Sequence, residues 1–419
     1  FSWFSIHDTN EHILLMNKSD LSTHAIHEQI HKFESPMDSH TMGIKEGMEP
    51  PVFSITLDHI KKGVIGIMVL FLFAAVLFFP NGPFTRPHPI VWRLVLGLSF
   101  MYLTMLVFVF FLDVREVRFL ISQMWNDAKL NIPLEEREYA TNCEITKDSL
   151  KDIIFDVYFV AHFLGWIVKA LIIRDPIVCW ICSILWEWIE MQFMYMLPNF
   201  KECWWDSLIS DVLVCNGLGI LIGLKICQFL EMKTYKWHGI LSYPTYRGKL
   251  KRALLQFTPS KWTKVDWKTT ASVKHFLYVV FLIFIIQVCE LNCFILKNIY
   301  WIPSEHPIVA LRLLLWGLIA MPSLRQYYLH ISYKNTKTIG VQLWIAGACL
   351  IMESLICFKH GSHLWNIPMP FDVKIGWMIT ILILITSVVA IHLVRQHYID
   401  LIKVKKLKDR VLHMDLFKS

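Results

Sequence analysis

Long apolar runs separated by short polar breaks dominate the chain after Lys61, and each is the length of a bilayer crossing. Taking runs of about 20 apolar residues as spans, we find them near 62–79, 90–112, 153–173, 177–197, 205–230, 273–296, 306–323, 338–358 and 373–394. This pattern predicts an all-α fold, a polytopic transmembrane helical bundle of about nine to ten spans. It divides the chain into a polar N-terminal segment over 1–60, a multi-pass membrane domain over 61–397 and a basic tail over 398–419.

One part of the pattern contradicts itself. Between Phe155 and Asn216, the most hydrophobic stretch also carries His162, Glu187, Glu190, Glu202, Asp206 and Asp211. Glu187 and Glu190 lie inside the run WICSILWEWIEMQFMYML. A carboxylate at mid-depth costs roughly 2.5 to 3.5 kcal/mol on insertion scales, so such groups face a partner, a ligand or water rather than lipid.

Composition supports the membrane reading. Hydrophobic residues make up 55% and charged residues 18% of the 419, a balance that a soluble domain could not bury in one core. The stretch before Lys61 lacks a basic region followed by a short apolar core, so no cleavable signal peptide is expected and the spans direct targeting. The opening residue is Phe rather than Met, which suggests a fragment or a missing first exon. Of ten cysteines, eight fall in or beside predicted spans and read as small apolar core residues. Cys179 and Cys182 have CxxC spacing without a second pair. Cys143 and Cys203 alone stand in loops, where a bridge is open to them. The net charge of +7 is modest and bears on orientation, not on nucleic acid.

Basic residues concentrate in the loop from Lys233 to Lys268 and in the tail from Arg395 to Arg410, and both read as cytoplasmic. Four predicted spans between them return the chain to the same side. Counting back, the 198–204 loop and the acidic segment from Asp113 to Asp152 face the lumen or exterior. The polar residues then gather in the luminal half of their helices.

Glu187 and Glu190, three apart on a helix, project within about 60° of each other. The connection LPNFKECWWD brings Asn199, Glu202 and Asp206 into the same neighbourhood. A carboxylate-rich site with one nearby imidazole favours a hard cation, calcium first, with magnesium or manganese behind. Glu202 taken alone reads equally well as a helix-end charge. His162, in FVAHFLGWIVKAL, reads as a packing residue or, beside a metal-bound phosphate, as a general base. In that segment Gly165 is expected to admit a neighbouring helix or lipid, and Lys169 to snorkel.

These segments resemble the eukaryotic phosphatidylserine synthases that work by head-group exchange. HFLGWIVKALIIR, WEWIE, LPNFKECWWD, SLISDVLVCNGLGI and FLEMKTYKWHGI follow that family's order, with FPNGPFTRPHPIVWR upstream and LKRALLQFTPSKW and RQYY downstream. The likeness spans roughly residues 75–395. It implies a calcium-dependent multi-pass enzyme of the endoplasmic reticulum membrane that replaces the choline or ethanolamine of phosphatidylcholine or phosphatidylethanolamine with L-serine. It also implies a homodimer. The DGxxAR signature of CDP-alcohol phosphotransferases is absent. Family positions map onto His162, Asn199 and Asn216 as catalytic or orienting groups and onto Glu187, Glu190, Glu202, Asp206 and Asp211 as calcium ligands. Family members usually carry one more span upstream, and the stretch MEPPVFSITLDHIKKGV in that place suggests a missing or mispredicted first exon.

The expected site faces the lumen, with the C-terminus cytoplasmic. Direct displacement and a two-step route both fit these residues. Arg86 and Arg325, each beside a proline-containing break at a predicted span end, suit a regulatory lipid phosphate or equally an interfacial anchor. Trp186, Trp188, Trp204 and Trp205 allow an aromatic cage for choline. A transporter or cation channel using the same carboxylates is the alternative function.

Overall fold

The structure, a computed structural model, describes residues 57–84, 88–125, 132–133, 143, 157–231, 239–255, 265–332 and 338–416. Regular structure among them is helical throughout. The helices are α1 (Leu57–Phe78), α2 (Pro89–Phe111), α3 (Val114–Trp125), α4 (Val157–Ile173) and α5 (Pro176–Phe193). A π-helix (Asp206–Asn216) then leads directly into α6 (Gly217–Glu231). They are followed by α7 (Tyr246–Leu255), α8 (Val273–Ile299), α9 (Pro307–Ser332), α10 (Val341–His360), α11 (Ser362–Trp365) and α12 (Phe371–Leu416).

Seven of the described helices are long and apolar enough to cross a membrane, the π-helix and α6 counting as one. The two remaining predicted spans are present as α4 and α5 but fall short of that measure. The apolar part of α4 is short, Phe159–Ile173. In α5, the 18 residues include Glu187, Glu190 and Gln192, which lower its hydropathy. Four long helices, α8, α9, α10 and α12, separate the two basic segments, matching the expected count. The last of these continues without a break from the apolar run through the basic segment, 46 residues in all.

Two buried apolar clusters form the core, and α5 and α8 contribute to both. One joins Tyr102, Trp186, Phe200, Ile299, Ile319 and Cys357. The other joins Trp166, Ala170, Cys179, Cys182, Ile220 and Ile283. Cys179 and Cys182 are therefore packing residues, as expected.

Two positions differ from the sequence reading. A side chain at Gly165 would meet nothing within 4 Å. The close helix approach is made instead by Gly219 and Gly223 of α6, four residues apart. A Cβ on Gly219 would lie 2.8 Å from the Trp166 Cβ, and one on Gly223 would lie 2.6 Å from the Ala170 Cβ. Small residues at this spacing let two membrane helices touch backbone to backbone. The second difference is at Pro322, which does not end a span but lies inside the continuous helix α9. Pro322 and Ser323 are buried, and Ser323 Oγ donates to the Ile319 carbonyl at 2.7 Å.

Candidate active site

The site is built on the hairpin of α4 and α5 and on the π-helix that follows. A two-residue link, Arg174 and Asp175, turns α4 into α5. Arg174 takes a left-handed conformation, φ 61°, and Asp175 Oδ1 accepts from the backbone N–H of Ile177 and Val178 at 2.9 and 3.0 Å. With Pro176 in the first turn, this cap starts α5 at a fixed residue.

At the far end of α5, Pro198–Phe200 forms a single 3₁₀ turn. Phe200 anchors it, with its ring 6.2 Å from Trp186 and 5.0 Å from Phe294. A disulfide joins Cys203 to Cys143, and Trp205 Nε1 donates to the Cys143 carbonyl at 3.2 Å. The connection carrying Asn199 and Glu202 is thus tied down on both sides.

The π-helix decides which groups meet. Residues five apart point about 140° away from each other on an α-helix. Where hydrogen bonds close over five residues instead, such residues stack on one face. Asp206, Asp211 and Asn216 have this spacing, and the Gly217 N–H donates to the Val212 carbonyl, five residues back.

All three groups meet the α4–α5 hairpin. Asp211 Oδ1 lies 3.9 Å from His162 Nδ1. Asn216, fully buried, donates from Nδ2 to Ser183 Oγ at 2.8 Å and lies 3.5 Å from Glu187 Oε1. Ser207 Oγ donates to Glu187 Oε2 at 2.8 Å. Glu187 and Asp206 are electrostatic neighbours. Glu190 has Glu202, Glu187 and Asp211 as its charged neighbours. Glu202, on the connection outside the spans, interacts with Asp211, and burial beside Asp206 and Glu187 pushes its carboxyl above the usual carboxylate range.

The structure therefore gathers His162, Glu187, Glu190, Glu202, Asp206, Asp211 and Asn216. Asn199 occupies the 3₁₀ turn and no hydrogen bond among those described joins it to the carboxylates. Among the described residues, no group of three or more His, Cys, Asp or Glu is arranged as a ready metal centre. The donor chemistry nevertheless suits a hard cation. The five carboxylates are electrostatic neighbours of one another.

The sequence profile of the family described as "Phosphatidyl serine synthase" matches residues 87–361, a stretch that contains this whole assembly. The chain belongs to the phosphatidylserine synthase family. A "Phosphatidylserine synthase" of Drosophila melanogaster is 43% identical over 337 residues, 79% of this chain and 67% of that protein. The "Phosphatidylserine synthase 1" of Danio rerio is 44% identical over 312 residues, 74% of this chain and 67% of its own. A rice (Oryza sativa) relative, "CDP-diacylglycerol--serine O-phosphatidyltransferase 2", is 40% identical over 328 residues, 76% of this chain and 77% of its own. The chain is accordingly a phosphatidylserine synthase, a phosphatidyl transferase in a multi-pass membrane setting.

Several side chains of this synthase lie elsewhere than the sequence suggested. Lys169 does not snorkel: it forms an ion pair with Glu290 of α8 and sits 3.9 Å above the Trp166 ring. The proposed tryptophan cage does not assemble. Trp186 packs on Phe200 and Phe294, Trp188 donates to Thr380 Oγ1 at 2.9 Å, Trp205 binds the Cys143 carbonyl and Trp204 is exposed. Aromatic rings converge instead around a cavity of about 670 Å³ just past α5, where Phe193, Tyr195, Trp365 and Trp377 line the wall. Arg325 lies within α9, 5.9 Å from the Tyr328 ring, and not at a span end. Arg86 is outside the described residues.

The sequence reading missed a second ionic centre of the synthase. Fully buried Glu353 on α10 accepts from Arg312 at 2.7 and 3.1 Å, from Trp316 Nε1 at 3.0 Å and from the Tyr102 hydroxyl. The rule applied to Glu187, that an ionisable group within a span needs a partner, would have found Glu353, Arg312 and Glu290 as well.

Proposed function

We propose that this synthase makes phosphatidylserine by head-group exchange. L-serine would replace the choline or ethanolamine of phosphatidylcholine or phosphatidylethanolamine at a calcium site on the luminal side of the endoplasmic reticulum membrane. The observation that carries the reading is the approach of His162 to Asp211 at 3.9 Å, with Glu187, Glu190, Glu202 and Asp206 as neighbouring carboxylates. Glu187, Glu190, Glu202, Asp206 and Asp211 would hold the ion, and bound calcium would supply positive charge to the phosphodiester oxygens.

The chain's own residues then supply the proton transfer. Asp211 Oδ1 faces Nδ1 of His162, which leaves Nε2 to take the serine hydroxyl proton as that oxygen attacks phosphorus. The bond from phosphorus to the departing choline or ethanolamine oxygen breaks, and His162 returns the proton to it. Ser183 and Ser207 hold Asn216 and Glu187 in place by hydrogen bonds. The aromatic cavity past α5 suits a quaternary ammonium group. The luminal placement is supported by the Cys143–Cys203 disulfide, since such bonds persist in oxidising compartments.

The name of the rice relative favours a second reading, in which CDP-diacylglycerol is the donor. Purified protein is given labelled L-serine and, separately, phosphatidylcholine, phosphatidylethanolamine or CDP-diacylglycerol micelles, each with calcium or chelator. Exchange predicts calcium-dependent phosphatidylserine from one or both of the first two donors, lost in Glu190→Gln. Incorporation from CDP-diacylglycerol alone would overturn it in favour of the second reading.

A further inference from the structure

Lys169 and Glu290 form an ion pair between α4 and α8 that the exchange chemistry above does not use. Their side chains are 26% and 20% exposed, so the pair is not sealed inside the core. Lys169 stands two turns from His162 on α4 and is an electrostatic neighbour of both His162 and Glu187. Helical side chains lean toward the N-terminus of their helix, which carries the Lys169 ammonium back toward His162.

Two nearly wholly buried polar atoms without hydrogen-bond partners belong to the same neighbourhood. One is Nε1 of Trp166, the residue whose ring lies under Lys169 Nζ. The other is Oε1 of Gln287, one turn before Glu290 on α8. Gln287 donates from Nε2 to the carbonyl of Cys182, a residue with both Lys169 and Glu290 as charged neighbours. A buried donor and a buried acceptor left unpaired each cost about 1 to 3 kcal/mol, which a ligand would recover.

The four groups make a complementary set. Lys169 and the Trp166 N–H are donors, while Glu290 and the Gln287 carbonyl are acceptors. A free α-amino acid is a zwitterion that presents one carboxylate and one ammonium a few ångströms apart. We propose that Lys169, Trp166, Glu290 and Gln287 form the subsite for the acceptor amino acid. Lys169 and Trp166 take its carboxylate, and Glu290 and Gln287 take its ammonium. The serine hydroxyl is then left to point along α4 toward His162. Ligand binding opens the Lys169–Glu290 pair, and each charge exchanges one partner for another. This inference rests on the proposed exchange reaction, in which serine is the attacking alcohol.

Ethanolamine is serine without its carboxylate, so it separates a ligand contact from a structural one. The protein in phosphatidylcholine micelles with calcium is assayed with labelled L-serine and with labelled ethanolamine. We expect Lys169→Met to lower the preference for serine over ethanolamine by about tenfold or more, because the site loses its carboxylate partner. Trp166→Phe keeps the ring and removes only the N–H; it should raise the serine KM severalfold and leave that of ethanolamine unchanged. Glu290→Gln should raise both. If Lys169→Met does not fold, Trp166→Phe decides. Folded variants with the parent's preference would overturn the inference while the exchange reading stands. A parent that incorporates no serine would overturn both.

Discussion

His162 Nδ1 and Asp211 Oδ1 stand 3.9 Å apart although they are 49 positions apart in the chain, and Asp211 sits at the middle of the π-helix that follows Trp205. At that distance the pair is a charge contact rather than a hydrogen bond. It assigns the imidazole a task, since a carboxyl group on the Nδ1 side leaves Nε2 to handle the proton. His162→Ala and Asp211→Asn should each lower the initial rate of serine incorporation by about 100-fold or more, the range of lost general-base catalysis. The thermal midpoint in detergent should change little for His162→Ala, which is partly exposed.

The α4–α6 contact should be intolerant of any side chain at its glycines. Gly223→Val places a branched group where even a Cβ would be 2.6 Å from that of Ala170 and 2.8 Å from the Ile167 carbonyl. Overpacking of this kind costs about 1 to 3 kcal/mol, and the midpoint should fall accordingly. Gly165→Ala, where nothing lies within 4 Å, should be neutral or slightly stabilising through better helix propensity. Thermal unfolding of the two variants side by side checks this.

Calcium and pH should act on stability together. The Glu202 carboxyl is held above the usual range by burial beside Asp206 and Glu187, so the folded protein keeps its proton to higher pH than the unfolded chain does. A carboxyl raised in this way destabilises the fold as pH climbs from its ordinary value through the raised one. With chelator present, the thermal midpoint should therefore fall as pH rises from about 4.5 to about 8. Calcium should flatten that slope, because the cation replaces the proton, and its apparent affinity should rise with pH. A midpoint that ignores calcium at every pH would remove the case for a cation in this cluster.

The Arg312–Glu353 pair should show the asymmetry of buried charges. Arg312→Met leaves a fully buried carboxylate without its cation and should cost about 3 to 5 kcal/mol. Adding Glu353→Gln removes the stranded charge and should restore much of the loss. Thermal midpoints of the single and double variants give the coupling directly.

The chain's pattern by itself determined the helical architecture. Nine apolar runs predicted nine helices, and helices lie at each of those positions because in lipid the backbone must bond to itself. The costly carboxylates of the 155–216 stretch marked the candidate site, because an ionisable group within a span needs a partner. The loop position of Cys143 and Cys203 was also visible in the residues themselves.

Only the tertiary structure decided who faces whom. Spacings of three and four are legible because the α-helix repeat is known in advance, but Asp206, Asp211 and Asn216 are five apart and would diverge on an α-helix. Their alignment depends on a local winding that no periodicity announces. Lys169 finds Glu290 across 121 positions and Arg312 finds Glu353 across 41. The close approach falls on Gly219 and Gly223 and not on Gly165, because rotation of α4 about its own axis sets which residues face α6. Hydropathy fixes how deep a residue lies along its helix, and the azimuth of each helix is set by packing against its neighbours.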